Sequence, residues 1–257
     1  MSERVFDMSI IIDGNGSGNI VATNGDDQVN GQGGDDTING QGGDDLIKGS
    51  EGDDVLKGSN GADTINGGAG DDTINGGEGD DVLVAGLGDD VVIGGLGNDT
   101  IASGGGDDVV AAGGGDDSIR SSDGDDKIRA SNGNDKVNAG AGDDTINAGA
   151  GDDIVVAGAG DDIVIGGLGD DTLVGGSGND TLVGSDGADT FVFGAADAGD
   201  VDMILDFEIG IDTLKLLDGI TVTGVSDWAR GSVLELDNGT MIKLVDITAS
   251  DASDAFL

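Results

Sequence analysis

The chain has 257 residues, 54 of them Gly, and its 53 acidic residues against 10 basic ones give a formal net charge of −43. Without Cys or His it has no disulfides, no thiol chemistry and no His-dependent metal or catalytic site. A charge of this sign disfavours nucleic acid and acidic membranes as partners, and no apolar run reaches the length of a membrane span. Few large side chains combined with strong self-repulsion predict either a disordered chain or one that folds around cations.

Residues 1–21 are predicted to form an N-terminal cap. They precede a nonapeptide repeat, and residues 13–21 share its spacing, with Gly16 and Ile20 at its glycine and apolar positions. Gly18 stands where the repeat has Asp, so we interpret this segment as a metal-free unit, with Phe6 and Ile10–Ile12 covering the open end. Residues 1–9 lack the basic and long apolar pattern of a cleavable secretion signal.

Residues 22–192 consist of nineteen nonapeptides without insertion or deletion, and 67–75 (GGAGDDTIN) is a typical unit. The fourth position is Gly in all nineteen units, the sixth is Asp in all nineteen, and the eighth is always apolar. Each unit thus has six residues typical of turns, where Gly permits positive φ, and an x-apolar-x triplet typical of a strand. One unit buries too little to be stable alone, so the pattern predicts stacked units with a continuous aliphatic core.

The two acidic columns of the repeat differ. The fifth position is Asp in fourteen units, but it is Asn at 98, 134 and 179 and Ala at 62 and 188, whereas the sixth never varies. We therefore assign the fifth position to local backbone hydrogen bonds and the sixth to direct metal ligation. The predicted metal ligands are Asp27, Asp36, Asp45, Asp54, Asp63, Asp72, Asp81, Asp90, Asp99, Asp108, Asp117, Asp126, Asp135, Asp144, Asp153, Asp162, Asp171, Asp180 and Asp189.

Carboxylate and carbonyl oxygens are the ligands that these loops offer. Oxygen-only sites in flexible loops suit Ca²⁺ better than Mg²⁺, which demands a tight octahedral geometry. The alternative is that the Asp-Asp-Gly pattern is ordinary turn chemistry with a solvated acidic face. Against it, the thirty-three Asp of the two columns would stack about 5 Å apart, at the spacing of adjacent strands, which is untenable without counterions.

The outward-facing seventh and ninth positions change character from turn to turn. Polar, apolar and basic pairs alternate, and residues 63–99 nearly recur at 135–171. Strand propensity with recent duplication would explain this pattern. The alternative hypothesis is that the apolar bands are contacts between solenoids or with the terminal region, because exposed apolar patches usually mark contacts. The candidate assembly residues are Val82, Val84, Val91, Ile93, Ile154, Val156, Ile163 and Ile165.

Residues 193–257 are predicted to form a small β-rich C-terminal cap. Segments 203–207 and 212–216 read as strands, and 233–236 with 241–245 as a hairpin around an Asn-Gly turn. Residues 226–228 are predicted to cap a short helix, with Trp228 as a packed cap residue or, alternatively, a ligand contact. Residues 254–257 resemble the uncleaved C-terminal signal of type I secretion substrates, with a frayed tail as the alternative.

The nonapeptide resembles the G-G-x-G-x-D-x-U-x motif of the RTX (repeats-in-toxin) calcium-binding family across residues 22–192. The resemblance implies an all-β fold, a right-handed parallel β-roll with two nonapeptides per turn between an N-terminal cap and a small C-terminal cap. It also implies Ca²⁺ between a unit and the second unit after it, so that Asp72 and Asp90 share one ion and Asp81 and Asp99 another.

The resemblance further implies that each loop supplies two backbone carbonyls besides its Asp. The loop-backbone candidates are Gly70, Gly79, Gly88, Gly97, Gly142, Gly151, Gly160 and Gly169. Nineteen units allow seventeen pairings at most, and fraying at the ends leaves about 15–17 Ca²⁺. About 17 ions would move the net charge from −43 to about −9, an ordinary value for a soluble domain.

This sequence departs from the family motif mainly at its first two glycine positions. These departures leave the carbonyls in place but predict stiffer turns or weaker sites. They are Gln32, Gln41, Ser50, Ser59, Ser103, Ser121, Ser122, Ser131 and several Ala.

The expected function is that of a secreted calcium-binding β-roll that folds on export. Low Ca²⁺ in a bacterial cytosol would leave a disordered chain suited to a type I exporter, and Ca²⁺ outside would convert binding free energy into folding free energy. We expect an extracellular or cell-surface location and a structural role as a surface-layer or fibre subunit, assembled as a homo-oligomer, filament or lattice.

Other functions stay open at this level. An adhesin-like or polysaccharide-binding module, or a non-catalytic RTX part of an extracellular enzyme, would carry the same repeat. An enzyme is not expected, because the chain has no His and no Ser in a strand-to-helix nucleophile elbow. A pore-forming toxin is not expected, because a hydrophobic insertion segment is missing.

Overall fold

The computed structural model describes residues 10–12 and 14–256. These residues form two compact units, one ending at Ser131 and the other beginning at Asn132. In each unit the repeat strands pair in parallel with the strand two places along the chain, so that Val29 lies opposite Ile47 and Val155 opposite Leu173. Two nonapeptides therefore form one turn of a parallel β-solenoid, which confirms the predicted all-β fold.

Odd-numbered strands of the first unit stack in one sheet and even-numbered strands in a second sheet. The strands are β1 (Ile10–Ile12), β2 (Asn19–Val21), β3 (Gln28–Gly33), β4 (Thr37–Gly42), β5 (Leu46–Glu51), β6 (Val55–Asn60), β7 (Thr64–Ala69), β8 (Thr73–Glu78), β9 (Val82–Leu87), β10 (Val91–Leu96), β11 (Thr100–Gly105), β12 (Val109–Gly114), β13 (Ser118–Asp123) and β14 (Lys127–Asn132).

The second unit has the same alternation of strands and ends in an antiparallel hairpin and a helix. Its elements are β15 (Lys136–Ala141), β16 (Thr145–Ala150), β17 (Ile154–Ala159), β18 (Ile163–Leu168), β19 (Thr172–Ser177), β20 (Thr181–Asp186), β21 (Thr190–Phe193), a 3-10 turn (Ala195–Asp197), β22 (Val201–Ile204), β23 (Thr213–Leu216), β24 (Val222–Trp228), β25 (Gly231–Leu236), β26 (Met241–Val245) and α1 (Ala249–Phe256). One sheet has the order β15-β17-β19-β21-β23, and the other has the order β16-β18-β20-β22-β26-β25-β24.

Each regular strand is six residues long rather than three, which corrects the predicted division of the repeat. Strand β7 contains Gly67 and Gly68, and Gly68 pairs with Gly86 of β9. The first three positions of a unit therefore extend the strand, and only positions four to six turn. Gly68 has a φ of +127°, which lets the chain bend while it stays in the ladder.

Three columns of side chains point into each solenoid, from positions six, eight and one of the repeat. Every eighth-position side chain from Val29 to Phe191 is at most 3% exposed. Positions seven and nine point outward, as predicted. The core is therefore an aliphatic stack with a column of Asp beside it.

The N-terminal segment continues the register of the repeat. Ile20 in β2 pairs with Ile38 and is 8% exposed, and Gly18 N–H donates to Asp36 Oδ1 at 2.6 Å. Strand β1 pairs with β3 at the edge of the other sheet, with Ile10 exposed. Phe6, predicted to cap this end, lies outside the described residues.

The C-terminal segment confirms two predicted strands and the hairpin but not the predicted helix cap. Strands β22 and β23 stack in parallel on β20 and β21, and β25 and β26 form the hairpin with Gly239 in its turn. Residues 226–228 belong to β24, because antiparallel pairing places Trp228 opposite Gly231. Trp228 is half-buried, with Lys243 Nζ 5.5 Å from its ring centroid.

The tail residues 254–256 form the end of α1. The Phe256 ring lies 5.6 Å from the ring of Phe207, which lies 5.8 Å from that of Phe191, so the helix is anchored to the aliphatic core. Among the described residues, no helix combines the length and the apolar character needed to cross a membrane.

Replacing the fourth-position Gly88 by Ala should destabilise the calcium-loaded protein. Gly88 has a φ of +126°, and a Cβ there would lie 2.2 Å from the Gly70 carbonyl oxygen. Strain of this kind costs about 1–3 kcal/mol. We therefore expect the free energy of unfolding, measured with guanidinium chloride in excess Ca²⁺, to fall by at least about 1 kcal/mol. The control is Gly105→Ala, whose Cβ would meet its nearest atom at 3.9 Å. Equal losses in the two variants would contradict the prediction.

Candidate metal centre

Main-chain hydrogen bonds from neighbouring turns hold the sixth-position Asp. Asp63 N–H donates to Asp81 Oδ1 at 2.8 Å, and Asp81 N–H donates to Asp99 Oδ1 at 2.9 Å. The Asp81 carbonyl also accepts from Thr100 N–H at 2.8 Å. The same carboxylate bonds recur along the column in both units. Each such carboxylate therefore ties its own turn to the turn before it.

The second oxygen of most of these carboxylates is buried and has no hydrogen-bond partner among the described residues. The side chains are only 1–2% exposed. Burying an ionised carboxylate in this way is costly unless a positive charge lies beside it. The Oδ2 atoms concerned include those of Asp36, Asp45, Asp54, Asp63, Asp72, Asp81, Asp90, Asp99, Asp108, Asp153, Asp162, Asp171 and Asp180.

A backbone carbonyl shares the space beside the unpartnered oxygen. The point where a Cβ on Gly76 would stand lies 2.2 Å from Asp81 Oδ2 and 2.7 Å from the Gly94 carbonyl oxygen. The same arrangement recurs at Gly67, beside Asp72. Carboxylate and carbonyl oxygens from successive turns thus approach one point, and oxygens of these two kinds are the ligands that Ca²⁺ prefers.

The fifth position makes a similar hydrogen bond, but on the solvent side. Asn98 N–H donates to Asp80 Oδ1 at 2.7 Å, and Asp116 N–H donates to Asn98 Oδ1 at 2.7 Å. These bonds join successive turns rather than staying inside one loop as predicted, and an amide serves them as well as a carboxylate. An Asn at position six could make the equivalent bond, yet none occurs there. The feature that position six requires is therefore the charge on its buried second oxygen.

Burial raises the pKa of several sixth-position carboxyls, and the like charges of neighbouring residues raise it further. The pKa of Asp81 and of Asp90 is raised from 3.8 to about 7, and that of Asp45 and of Asp54 to about 6. The hydrogen bond from the preceding turn offsets only part of this effect. Without a cation, the folded solenoid therefore favours protonated carboxyls.

The residues fit a divalent cation held by mixed ligands. No three acidic side chains among residues 10–12 and 14–256 converge closely enough to hold an ion alone, so carbonyl oxygens are required as well. Asp72 and Asp90, predicted to share an ion, are joined by a bond of 2.7 Å from Asp72 N–H to Asp90 Oδ1. The predicted loop glycines adopt positive φ in these same turns, and Gly88 N–H donates to the Gly105 carbonyl at 3.0 Å. Their assignment as metal-binding groups stays a prediction.

Comparison with protein families bears on the identity of the ion. The family model described as RTX calcium-binding nonapeptide repeat (4 copies) matches overlapping segments from residue 12 to residue 197, including 12–47, 48–83 and 165–197. The chain belongs to this RTX family. Membership supports Ca²⁺ as the cation that suits the oxygen column. No curated protein matches the chain.

The RTX repeats of this chain depart from the family motif in two physically different ways. At position one, Ser103 and Ser121 are fully buried, and their hydroxyls lie 2.9 Å apart in a hydrogen bond. At position two, Gln32 and Ser50 adopt φ of +75° and +99°, which a side chain tolerates only with strain. Strain therefore falls on position two, whereas position one fills the interior beside the Asp column.

Two carboxylates that the sequence prediction missed continue the column beyond the RTX repeats. Asp180 N–H donates to Asp202 Oδ1, and Asp189 N–H donates to Asp212 Oδ1, each at 3.0 Å. Their spacings are 22 and 23 residues instead of 18, so the nine-residue register passes over them. The available signal was an Asp-x-apolar triplet near the start of β22 and of β23.

The predicted assembly residues lie on the outside of each solenoid. In the first unit Val82 is 42% exposed, and Val91 and Ile93 are each 38% exposed. In the second unit Ile154 is 45% exposed and Ile163 is 46% exposed. The remaining three, Val84, Val156 and Ile165, are half-buried. Their role in assembly stays a prediction.

The metal-free RTX protein should gain β-structure on acidification. Because burial raises the pKa of carboxyls such as Asp81 and Asp171 to about 7, the folded state binds protons more tightly than the unfolded chain. This stabilisation is complete below the ordinary value of 3.8 and is lost as the pH rises through 6 to 7. Circular dichroism of metal-free protein should show more β-sheet at about pH 4.5 than at about pH 8.

Salt provides the control for this pH effect. Potassium chloride at about 1 M screens exposed charges but does not reduce the desolvation cost of buried ones. Adding it at about pH 8 should therefore not produce the β-sheet that acidification produces. Identical spectra at the two pH values, or full replacement of acid by salt, would contradict the assignment to the buried column.

Proposed function

We propose that this chain is a calcium-dependent folding module in which the sixth-position Asp column and nearby carbonyls take up Ca²⁺. The observation that carries this proposal is the unpartnered Oδ2 of column residues such as Asp81, buried at 1% exposure. Position five makes the same kind of backbone bond and accepts Asn, so hydrogen bonding alone does not account for an unbroken column of Asp.

Bound Ca²⁺ would supply the positive charge that lets these carboxylates stay ionised inside the fold. Their backbone bonds already fix each carboxylate across two turns, so the protein contributes the alignment of the oxygens. The formal net charge of −43 opposes compaction of the metal-free chain. Metal binding would thereby become the main source of folding free energy.

We further propose that the chain is exported and folds outside the cell. RTX proteins are typically exported, and a chain held unfolded by its own charge suits passage through a type I exporter. The C-terminal residues 254–257, which resemble the signal of such substrates, are the candidate export segment. Extracellular Ca²⁺ would then stabilise the folded state by mass action.

The role that we propose is structural rather than catalytic, at the cell surface or in an extracellular assembly. The column carboxylates are at most 2% exposed, so they are placed to hold the fold rather than to meet a substrate. The apolar bands at Val82 and Ile93 and at Ile154 and Ile163 are exposed on the outer faces of the sheets. Exposed apolar patches of this kind support lateral self-association.

A matched pair of variants tests calcium-dependent folding. The wild type should be a coil in chelator and β-sheet in millimolar Ca²⁺ by circular dichroism. Asp81→Asn keeps an acceptor for Asp63 N–H but loses the charge, and we expect it to raise the Ca²⁺ midpoint by roughly threefold or more. Asp80→Asn carries the same charge change at position five and should stay within about twofold of the wild type. Wild-type spectra that do not respond to Ca²⁺, or equal shifts in both variants, would refute the proposal.

Self-association has its own test. Replacing Ile154, Val156, Ile163 and Ile165 by Thr should abolish assembly measured by light scattering in Ca²⁺, because it removes one apolar band. The control replaces the exposed Lys136 and Thr145 of the adjacent turn by Thr and Asn, respectively, and should leave assembly unchanged. If the Ile/Val variant had the same mass in Ca²⁺ as the wild type, this apolar band would not be the assembly contact.

A further inference from the structure

The segment that follows the RTX repeats replaces a repeat turn with a different arrangement of acidic side chains. Eighteen residues after Asp180, two units further along the nine-residue register, the sixth position would fall on Ala198. The chain instead forms the 3-10 turn Ala195–Asp197 and brings Asp202 to that place, where its Oδ1 accepts from Asp180 N–H at 3.0 Å. The insertion therefore restores a carboxylate that the register would have lost.

Asp200 takes over a bond that a backbone carbonyl makes in the regular turns. In the repeat, Gly160 N–H donates to the Ser177 carbonyl at 2.8 Å. At the last such turn, Gly178 N–H donates to Asp200 Oδ2 at 2.9 Å instead. At this turn the carboxylate of Asp200 therefore replaces the backbone carbonyl as the acceptor, which adds an acidic side chain.

Asp197 adds a carboxylate that no repeat unit contains. It is 2% exposed; its Oδ2 accepts from Gly194 N–H, and its Oδ1 has no hydrogen-bond partner among the described residues. Its carbonyl accepts from Asp200 N–H at 3.2 Å and from the Thr240 hydroxyl, which ties the turn to the C-terminal hairpin. The side chain is thus fixed in a buried position with one oxygen unused.

We propose that Asp180, Asp197 and Asp202 form an additional Ca²⁺ site outside the nonapeptide pattern. Three buried carboxylate oxygens at this turn have no hydrogen-bond partner among the described residues, namely Asp180 Oδ2, Asp197 Oδ1 and Asp202 Oδ2. Burial and the charges of Asp180 and Asp197 also raise the pKa of Asp202, which agrees with their proximity. As in the repeats, backbone carbonyls are needed to complete the ligand set. The proposal rests on the proposed function, since it takes calcium as the ion of the column.

This site should bind more tightly than a repeat site. A pair of successive repeat turns offers two sixth-position carboxylates, whereas this turn offers three, with Asp200 as a fourth negative charge nearby. Affinity for Ca²⁺ rises with the number of charged ligands. The site should therefore belong to the tightest class of ions on the chain.

Equilibrium dialysis with radioactive Ca²⁺ on the full chain tests the proposal. Asp197→Asn keeps an acceptor for Gly194 N–H and should weaken the tightest class of sites at least about tenfold; Asp197→Asn with Asp202→Asn should remove one ion per chain from that class. The control Asp186→Asn makes the same charge change at an exposed position and should bind like the wild type. Circular dichroism in saturating Ca²⁺ reports that the repeats of each variant are folded.

The outcomes separate the two proposals. Wild type that binds no Ca²⁺ overturns the proposed function itself. Wild type that binds Ca²⁺, together with Asp197→Asn that matches Asp186→Asn in both stoichiometry and affinity, overturns only the additional site. Should the double variant fail to fold, the single Asp197→Asn variant, which preserves the Gly194 bond, decides the question on the same scale.

Discussion

The structure depends on buried carboxylates in which only one of the two oxygens has a hydrogen-bond partner among the described residues. In Asp81, for example, one oxygen accepts a backbone N–H from Asp63 of the preceding turn, and the other is buried without a hydrogen-bond partner among the described residues. The first oxygen aligns successive turns, and the second is the oxygen for which we propose a bound cation. Stacking and the proposed metal dependence are thus two consequences of the same side chain, because alignment is obtained only by burying a charge that water no longer solvates.

The same stacking explains which positions of the repeat vary. Position four has positive φ, and a Cβ at Gly88 would meet the carbonyl of the turn below, so only Gly occurs there. Position five bonds through an acceptor that Asn98 supplies equally well. Position one takes Gly, Ala or Ser because its side chain faces a small interior space, as the buried Ser103 illustrates. Position six alone combines an acceptor, a charge and full burial.

The C-terminal region shows that the solenoid is maintained by contacts rather than by the nine-residue period. After the last RTX unit the spacing between stacked carboxylates lengthens to 22 and then 23 residues, yet Asp202 and Asp212 receive the same N–H donors. The inserted residues form turns that absorb the extra length. Strands β22 and β23 therefore continue the parallel ladder before the hairpin and α1 close the region.

The sequence by itself determined the period, the inward and outward positions and the choice of Asp at position six, because nineteen copies of one unit record which side chains a single environment accepts. The tertiary structure decided the rest. Gly67 and Gly68 read as turn residues, but pairing with the adjacent turns keeps them in strands, and Trp228 lies in a strand because β25 lies beside it. Asp202 joins the column because its carboxylate accepts from Asp180 N–H, 22 residues earlier in the chain. A fixed nine-residue register cannot predict this contact, because the spacing along the chain changes there.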